Sequence, residues 1–238
     1  AKVVPSGLTL LPGAEISCSW LTADGRPLSI HMLAYLFNPT EPKLADAMAR
    51  VRSSRTYRGK RIVEGLRAAG HEITWFQVCG YAGGAPVGRP HVARALVETG
   101  SVPDIEAAFT PDLLGGKYRM PIANIDVVAA IRLIRGAGGV PVLAHPSAAS
   151  RGRVVPDQLI DELAAVGLAG LEADHADHDE TARARLRSLA ADLGLFVTGS
   201  SDFHGDNKTI DLGENATTTR EVYEQIVADG VGSSPISG

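Results

Sequence analysis

The 238-residue sequence predicts an α/β fold built from parallel strand–helix units, interrupted by a helical insertion. Three observations lead there. Short apolar runs alternate with stretches of helical spacing, polar residues gather where those runs end, and the rhythm breaks between about Asn38 and Ile125. Parallel strands with polar carboxyl ends are how a barrel-type enzyme builds its site.

The runs share one design. Leu8–Ile16 ends at Glu15 and Ser17; Val140–Ala144 ends at His145-Pro146. Leu168–Leu171 leads into Glu172, Asp174 and His175, and Leu195–Thr198 into Ser200, Ser201, Asp202 and His204. Each is too short for a helix and reads as a buried strand. Between them, Ile125–Ala137, Asp157–Val166 and Glu180–Leu193 carry apolar residues at helical spacing. In the interruption, Glu41–Ala69 reads as a helix with Leu44, Met48, Val51, Ile62 and Leu66 on its apolar face. His91–Glu98 and Ile105–Phe109 read as two more. Domain boundaries follow: a barrel part at 1–37 and 126–238, and a helical cap at 38–125.

Composition narrows the function. With 23 Lys and Arg against 27 Asp and Glu, the net charge of −4 argues against a nucleic-acid polymer as partner. No apolar run reaches the roughly 18 residues of a membrane span, and the first residues lack a secretory pattern. A cytoplasmic location is expected. Cys18 and Cys79 are too few for a disulfide framework and read as packing residues.

Three local signals carry chemistry. In Ser201-Asp202-Phe203-His204, residues two apart on a strand face one side, so Asp202 and His204 reach one site while Phe203 packs the other way. A carboxylate and an imidazole together suit a first-row divalent metal; the same pair also reads as a capping aspartate beside a surface histidine. His145 closes an apolar strand before Pro146, and taken alone reads as a structural core histidine. Glu15 lies inside an apolar strand, where an unpaired carboxylate is costly. It needs a metal, an arginine or a raised pKa. Their common placement at strand ends favours a shared centre.

In order along the chain, GAEIS, HMLAY, GRPHVARALVE, VLAHP, LEADHADH and TGSSDFHG resemble the PHP (polymerase and histidinol phosphatase) family of metal-dependent phosphoesterases. The pattern is most similar to its small phosphoesterases of nucleotides such as AMP or 3′,5′-bisphosphates. The resemblance implies an incomplete, distorted (β/α)7 barrel. The family opens with His-x-His and Thr-Asp-His motifs, and neither occurs in this sequence, as though its first two βα units were absent. The implied metal ligands are Glu15, His145, Asp202 and His204, with Glu15 bridging two ions. Two or three ions of Mn²⁺, Fe²⁺, Zn²⁺ or Co²⁺ fit that donor set.

Around this centre the resemblance places Arg89 and His91, at a helix start suited to phosphate, as a ligand or substrate contacts; by themselves they also read as a solvent-facing loop arginine and a helix-capping histidine. His178 is a further substrate contact, and His175 or His204 a catalytic acid. His31 reads as packed, His71 as surface, and the arginines from Arg50 to Arg67 as a solvated helix face, with Arg55 or Arg58 as a minority substrate contact. Lys117 and Arg119 share that ambiguity. The expected function is hydrolysis of a small phosphomonoester, on a nucleotide. Two alternatives stand beside it: a metal-poor PHP remnant acting as a scaffold, and an amidohydrolase-like hydrolase. A carbamylated lysine would favour the latter, but none of the five lysines ends a candidate strand.

Overall fold

The computed structural model describes residues 4–120, 122–149, 153–203 and 210–238. In chain order the elements are β1 (Thr9–Leu10), β2 (Gly13–Leu21), β3 (Pro27–Tyr35), α1 (Pro42–Ala68), α2 (Trp75–Ala82), α3 (Arg89–Glu98) and α4 (Ile105–Ala108). They continue as β4 (Ile125–Asp126), α5 (Val127–Gly136), β5 (Val140–Ala144), β6 (Ser147–Ala148), β7 (Arg153–Val154), α6 (Asp157–Ala165), β8 (Gly170–Asp174), α7 (Glu180–Leu193), β9 (Phe196–Gly199), α8 (Arg220–Asp229) and β10 (Ile236–Ser237). The chain divides into two compact units, residues 1–45 with 124–238, and residues 46–123.

The first unit holds a six-stranded sheet in the order β4-β2-β3-β5-β8-β9. Strands β5, β8 and β9 are parallel and joined by α6 and α7, the expected βαβ arrangement. Strand β3 departs from it, pairing antiparallel with both β2 and β5. A tight turn makes the β2–β3 hairpin: Gly25 takes φ +77°, and the Thr22 hydroxyl donates to the Arg26 carbonyl at 2.8 Å. The run at Leu8–Ile16 is therefore not one strand. Pro12 offers no N–H to a ladder, and the continuous strand begins at Gly13. Glu15 consequently sits near the amino end of β2, not at a carboxyl end as expected.

Alternation gives the sheet two different faces. Ile16, Cys18, Ile30, Met32 and Ala34 are buried on one, where α5 packs with Val127, Ile131 and Ile134. Glu15, Ser17, His31, Leu33 and Tyr35 share the other. All five residues of β5 and of β8 are buried, as expected for strands covered on both faces.

The second unit is helical. Ile62, Val63 and Leu66 of α1, Val78 of α2, and Val92, Ala93 and Leu96 of α3 form its core with Ala108 and Leu114. A side chain at Gly59 would meet the Trp75 ring at 3.1 Å, so α1 and α2 approach closely because that residue is glycine. Thr74 and Gln77 close a reciprocal capping box on α2, an N-cap worth about 1 kcal/mol.

Candidate metal centre

Hairpin register brings the first donors together. Glu15 lies opposite Leu33 and Ser17 opposite His31, so Glu15 and His31 are diagonal neighbours on one face. The Glu15 carboxylate pairs with His31 Nδ1, and its Oε1 lies 3.3 Å from His145 Nε2. One donor atom from each of Glu15, His31 and His145 lies within 4.8 Å of the others. Burial would raise the Glu15 pKa, but hydrogen bonds and charge from His145 and His31 hold it well below the usual carboxylate range. The carboxylate is therefore ionised and its lone pairs point at two imidazoles. One carboxylate and two imidazoles without a thiolate are a fitting donor set for a divalent first-row metal. His31, expected to be a packed residue, belongs to this group.

From there the imidazoles continue in a row. Ring centroids are 5.1 Å apart for His31 and His145, 5.1 Å for His145 and His175, and 5.6 Å for His175 and His178. His175 follows β8 and is 1% exposed. Its Nδ1 accepts the Asp177 N–H at 3.0 Å, which leaves Nε2 to carry the proton toward Asp202 Oδ2, 3.4 Å away. Glu15, His145, His175 and Asp202 are thus linked in sequence by contacts among their side chains.

Two of these residues hold left-handed backbone: φ is +31° at His145 and +50° at Asp202. Such conformations cost about 1–3 kcal/mol in a non-glycine residue and need surrounding bonds to persist. Asp202 is not on a strand, because β9 stops at Gly199. Phe203 is 47% exposed rather than packed beneath it. His204, expected as a ligand or acid, lies outside the described residues.

His178 is a correction. Its Nδ1 bonds the Ala173 carbonyl at 2.8 Å, and its Nε2 accepts the Ser147 N–H at 3.1 Å. Both ring nitrogens are spent on backbone, so the expected substrate contact is unavailable. Burial lowers its pKa and keeps the ring neutral. Arg89 and His91 lie in the second unit. There Arg89 donates to the Leu114 carbonyl at 3.0 Å and stacks on Phe109, while His91 Nδ1 accepts the Gly88 N–H at 3.0 Å.

Other residues were not singled out by sequence. Arg183 of α7 donates to the carbonyls of His175 and His178 and to Asn215 Oδ1, pinning the loop that carries His175. One turn on, Arg187 joins Thr217 on Asp174, which is 3% exposed. Their hydrogen bonds outweigh the effect of burial and lower the Asp174 pKa. Spacing of i and i+4 on one helix was the available signal.

No protein-family model matches the chain. Among curated relatives, it is 31% identical over 215 residues to a 3′,5′-nucleoside bisphosphate phosphatase of Chromobacterium violaceum, covering 86% of this chain and 70% of the relative. It is also 31% identical over 210 residues to a 5′-3′ exoribonuclease of Haemophilus influenzae, covering 88% and 74%. Among solved structures, one from Bifidobacterium adolescentis, provisionally described as a metal-dependent phosphoesterase, superposes with a TM-score of 0.84 at 36% identity. That match covers 94% of this chain and 78% of the other. A Chromobacterium violaceum structure described as an amidohydrolase with bound sulfate matches at TM-score 0.72 and 27% identity, with the same coverage. The ordered motifs, the carboxylate–imidazole centre and these relatives agree: the chain belongs to the PHP family of metal-dependent phosphoesterases, on its nucleotide phosphatase side.

Proposed function

We propose that the protein hydrolyses a small phosphomonoester of a nucleotide, AMP or a 3′,5′-bisphosphonucleotide, in the cytoplasm. The observation that carries the reading is the convergence of Glu15, His31 and His145 from two paired strands and a strand end. On this reading the six-stranded sheet is part of a distorted (β/α)7 barrel at 1–37 and 126–238, with residues 38–125 as its helical insertion. Glu15, His31 and His145 would hold one cation, and Asp202 with His204 would serve a second. A bound Mn²⁺, Fe²⁺, Zn²⁺ or Co²⁺ supplies charge neutralisation for phosphate oxygens and acidifies water to near-neutral pKa.

The chain's own groups supply the rest. Glu15 remains ionised at any working pH and fixes the two imidazoles around it. On this reading Asp202 orients His175 at Nε2, the edge from which the imidazolium form would donate a proton to a leaving oxygen. Arg89 is a charge-assisted donor for phosphate. The deciding assay is phosphate release with Mn²⁺ from AMP, adenosine 3′,5′-bisphosphate, histidinol phosphate and a short oligonucleotide. Faster turnover of either nucleotide is expected. Preference for the oligonucleotide, the substrate class in the name of the Haemophilus influenzae relative, would overturn the small-substrate reading.

A further inference from the structure

Glu172 is a buried carboxylate with no part in the reading above. It is 3% exposed in the middle of β8, and among the described residues it forms no ion pair. Its Oε2 accepts the backbone N–H of His145 at 2.9 Å, and its Oε1 accepts the Ser200 hydroxyl at 2.8 Å. The sheet order explains why one side chain reaches both. Strand β8 lies between β5 and β9, His145 immediately follows β5, and Ser200 immediately follows β9. A single carboxylate on the central strand therefore clamps the ends of its two neighbours. Both clamped segments carry left-handed residues, His145 at φ +31° and Asp202 two residues after Ser200 at φ +50°. Left-handed backbone in a residue with a Cβ persists where surrounding contacts over-determine it, and these two bonds are such contacts.

We infer that Glu172 is a positioning residue of the metal centre: it touches neither metal nor substrate, and sets the spacing between His145 and Asp202. This rests on the metal-phosphoesterase reading. Hydrogen-bonded groups behind metal ligands fix ligand orientation, and their loss weakens metal affinity by about 10–100-fold.

The test compares Glu172→Ala, Glu172→Gln and Ser200→Ala with the unaltered chain, reading Co²⁺ affinity and the visible absorption spectrum of bound Co²⁺. Glutamine keeps one oxygen for the His145 N–H, and its amide can donate to a Ser200 hydroxyl that turns to accept. Glu172→Ala should lose about 10–100-fold in Co²⁺ affinity with a shifted spectrum. Glu172→Gln should stay within about threefold of the unaltered chain, the rescue expected of a hydrogen-bond role. Ser200→Ala, which spares the His145 bond and folds if Glu172→Ala does not, should shift the spectrum with a smaller loss of affinity. Unchanged affinity and spectrum in either alanine variant that folds would overturn the assignment. So would Glu172→Gln as impaired as Glu172→Ala, which would make the charge itself the essential property. Failure of the unaltered chain to bind Co²⁺ would instead refute the metal-centre reading on which this one stands.

Discussion

Residues 46–123 hold 11 of the chain's 23 Lys and Arg but only 7 of its 27 Asp and Glu, a net charge of +4. The remaining residues carry −8. The sheet unit gathers carboxylates and imidazoles, groups that bind cations. The helical unit gathers guanidiniums that bind anions and crowds them: burial, with Arg89 and Arg55 nearby, pushes the Arg58 pKa down to about 10. Burial and Arg119 lower that of Arg89. The overall charge of −4 averages two opposite surfaces, which is why whole-chain charge is a poor guide to partners. Among the described residues, no helix is long and apolar enough to cross a membrane.

The largest expected effect is at the acidic centre. Glu15→Gln keeps volume but removes the charge shared by His31 and His145, and should abolish retention of bound metal. Phosphate release should then fall by at least about 100-fold, beyond the 10–100-fold typical of outer-shell changes. Metal content after dialysis, measured beside activity, checks it. Arg89→Ala probes the basic unit and should leave metal content untouched. Losing a charge-assisted phosphate contact of roughly 1.5–3 kcal/mol should lower kcat/KM by about 10–100-fold. If Arg89→Ala also lost metal, the division between the two units would fail.

Salt sharpens the comparison further. A mononucleotide has no condensed counterion layer to release, so its affinity should fall by less than about tenfold between 50 and 200 mM salt. A polymer tracking six or more phosphates along the helical unit would lose at least about 10³-fold over the same range. Activity on adenosine 3′,5′-bisphosphate and on a short oligonucleotide, compared across that range, separates the two.

The smallest effect concerns stability of the sheet unit. His178 is buried with both nitrogens bonded to backbone, and its folded pKa lies below its unfolded value near 6.5. Its contribution is therefore present above about pH 6.5 and lost as pH falls, because the unfolded ring takes up the proton first. His178→Asn should cost about 1–3 kcal/mol in urea unfolding at pH 7.5, and less at pH 5. A cost that grew on acidification would contradict the neutral, bonded ring.

Sequence made the parallel half of the fold plain. Val140–Ala144 is strand β5 to the residue, and Glu180–Leu193 is helix α7 to the residue, because Gly and polar residues bound clean apolar patterns there. The β2–β3 hairpin was illegible. Its second strand, PLSIHMLAY, contains a histidine on the partly open face, and the run reads equally as apolar packing. That one ambiguity hid both the antiparallel strand and the ligand His31. Glu172 and Asp174 were visible as polar residues ending an apolar run, but their partners directly follow β5 and β9, sit on α7, or lie at Thr217 ahead of α8, which only the folded chain reveals. Asp202 was found by its motif and misplaced on a strand, since sequence carries no sign that its backbone turns left-handed.

The centre itself is tested most directly by anomalous diffraction from crystals of the protein grown with Zn²⁺. A peak is predicted within about 2.0–2.2 Å of a Glu15 carboxylate oxygen, His31 Nδ1 and His145 Nε2. Zinc bound only elsewhere, with these three side chains still paired to one another, would contradict the account.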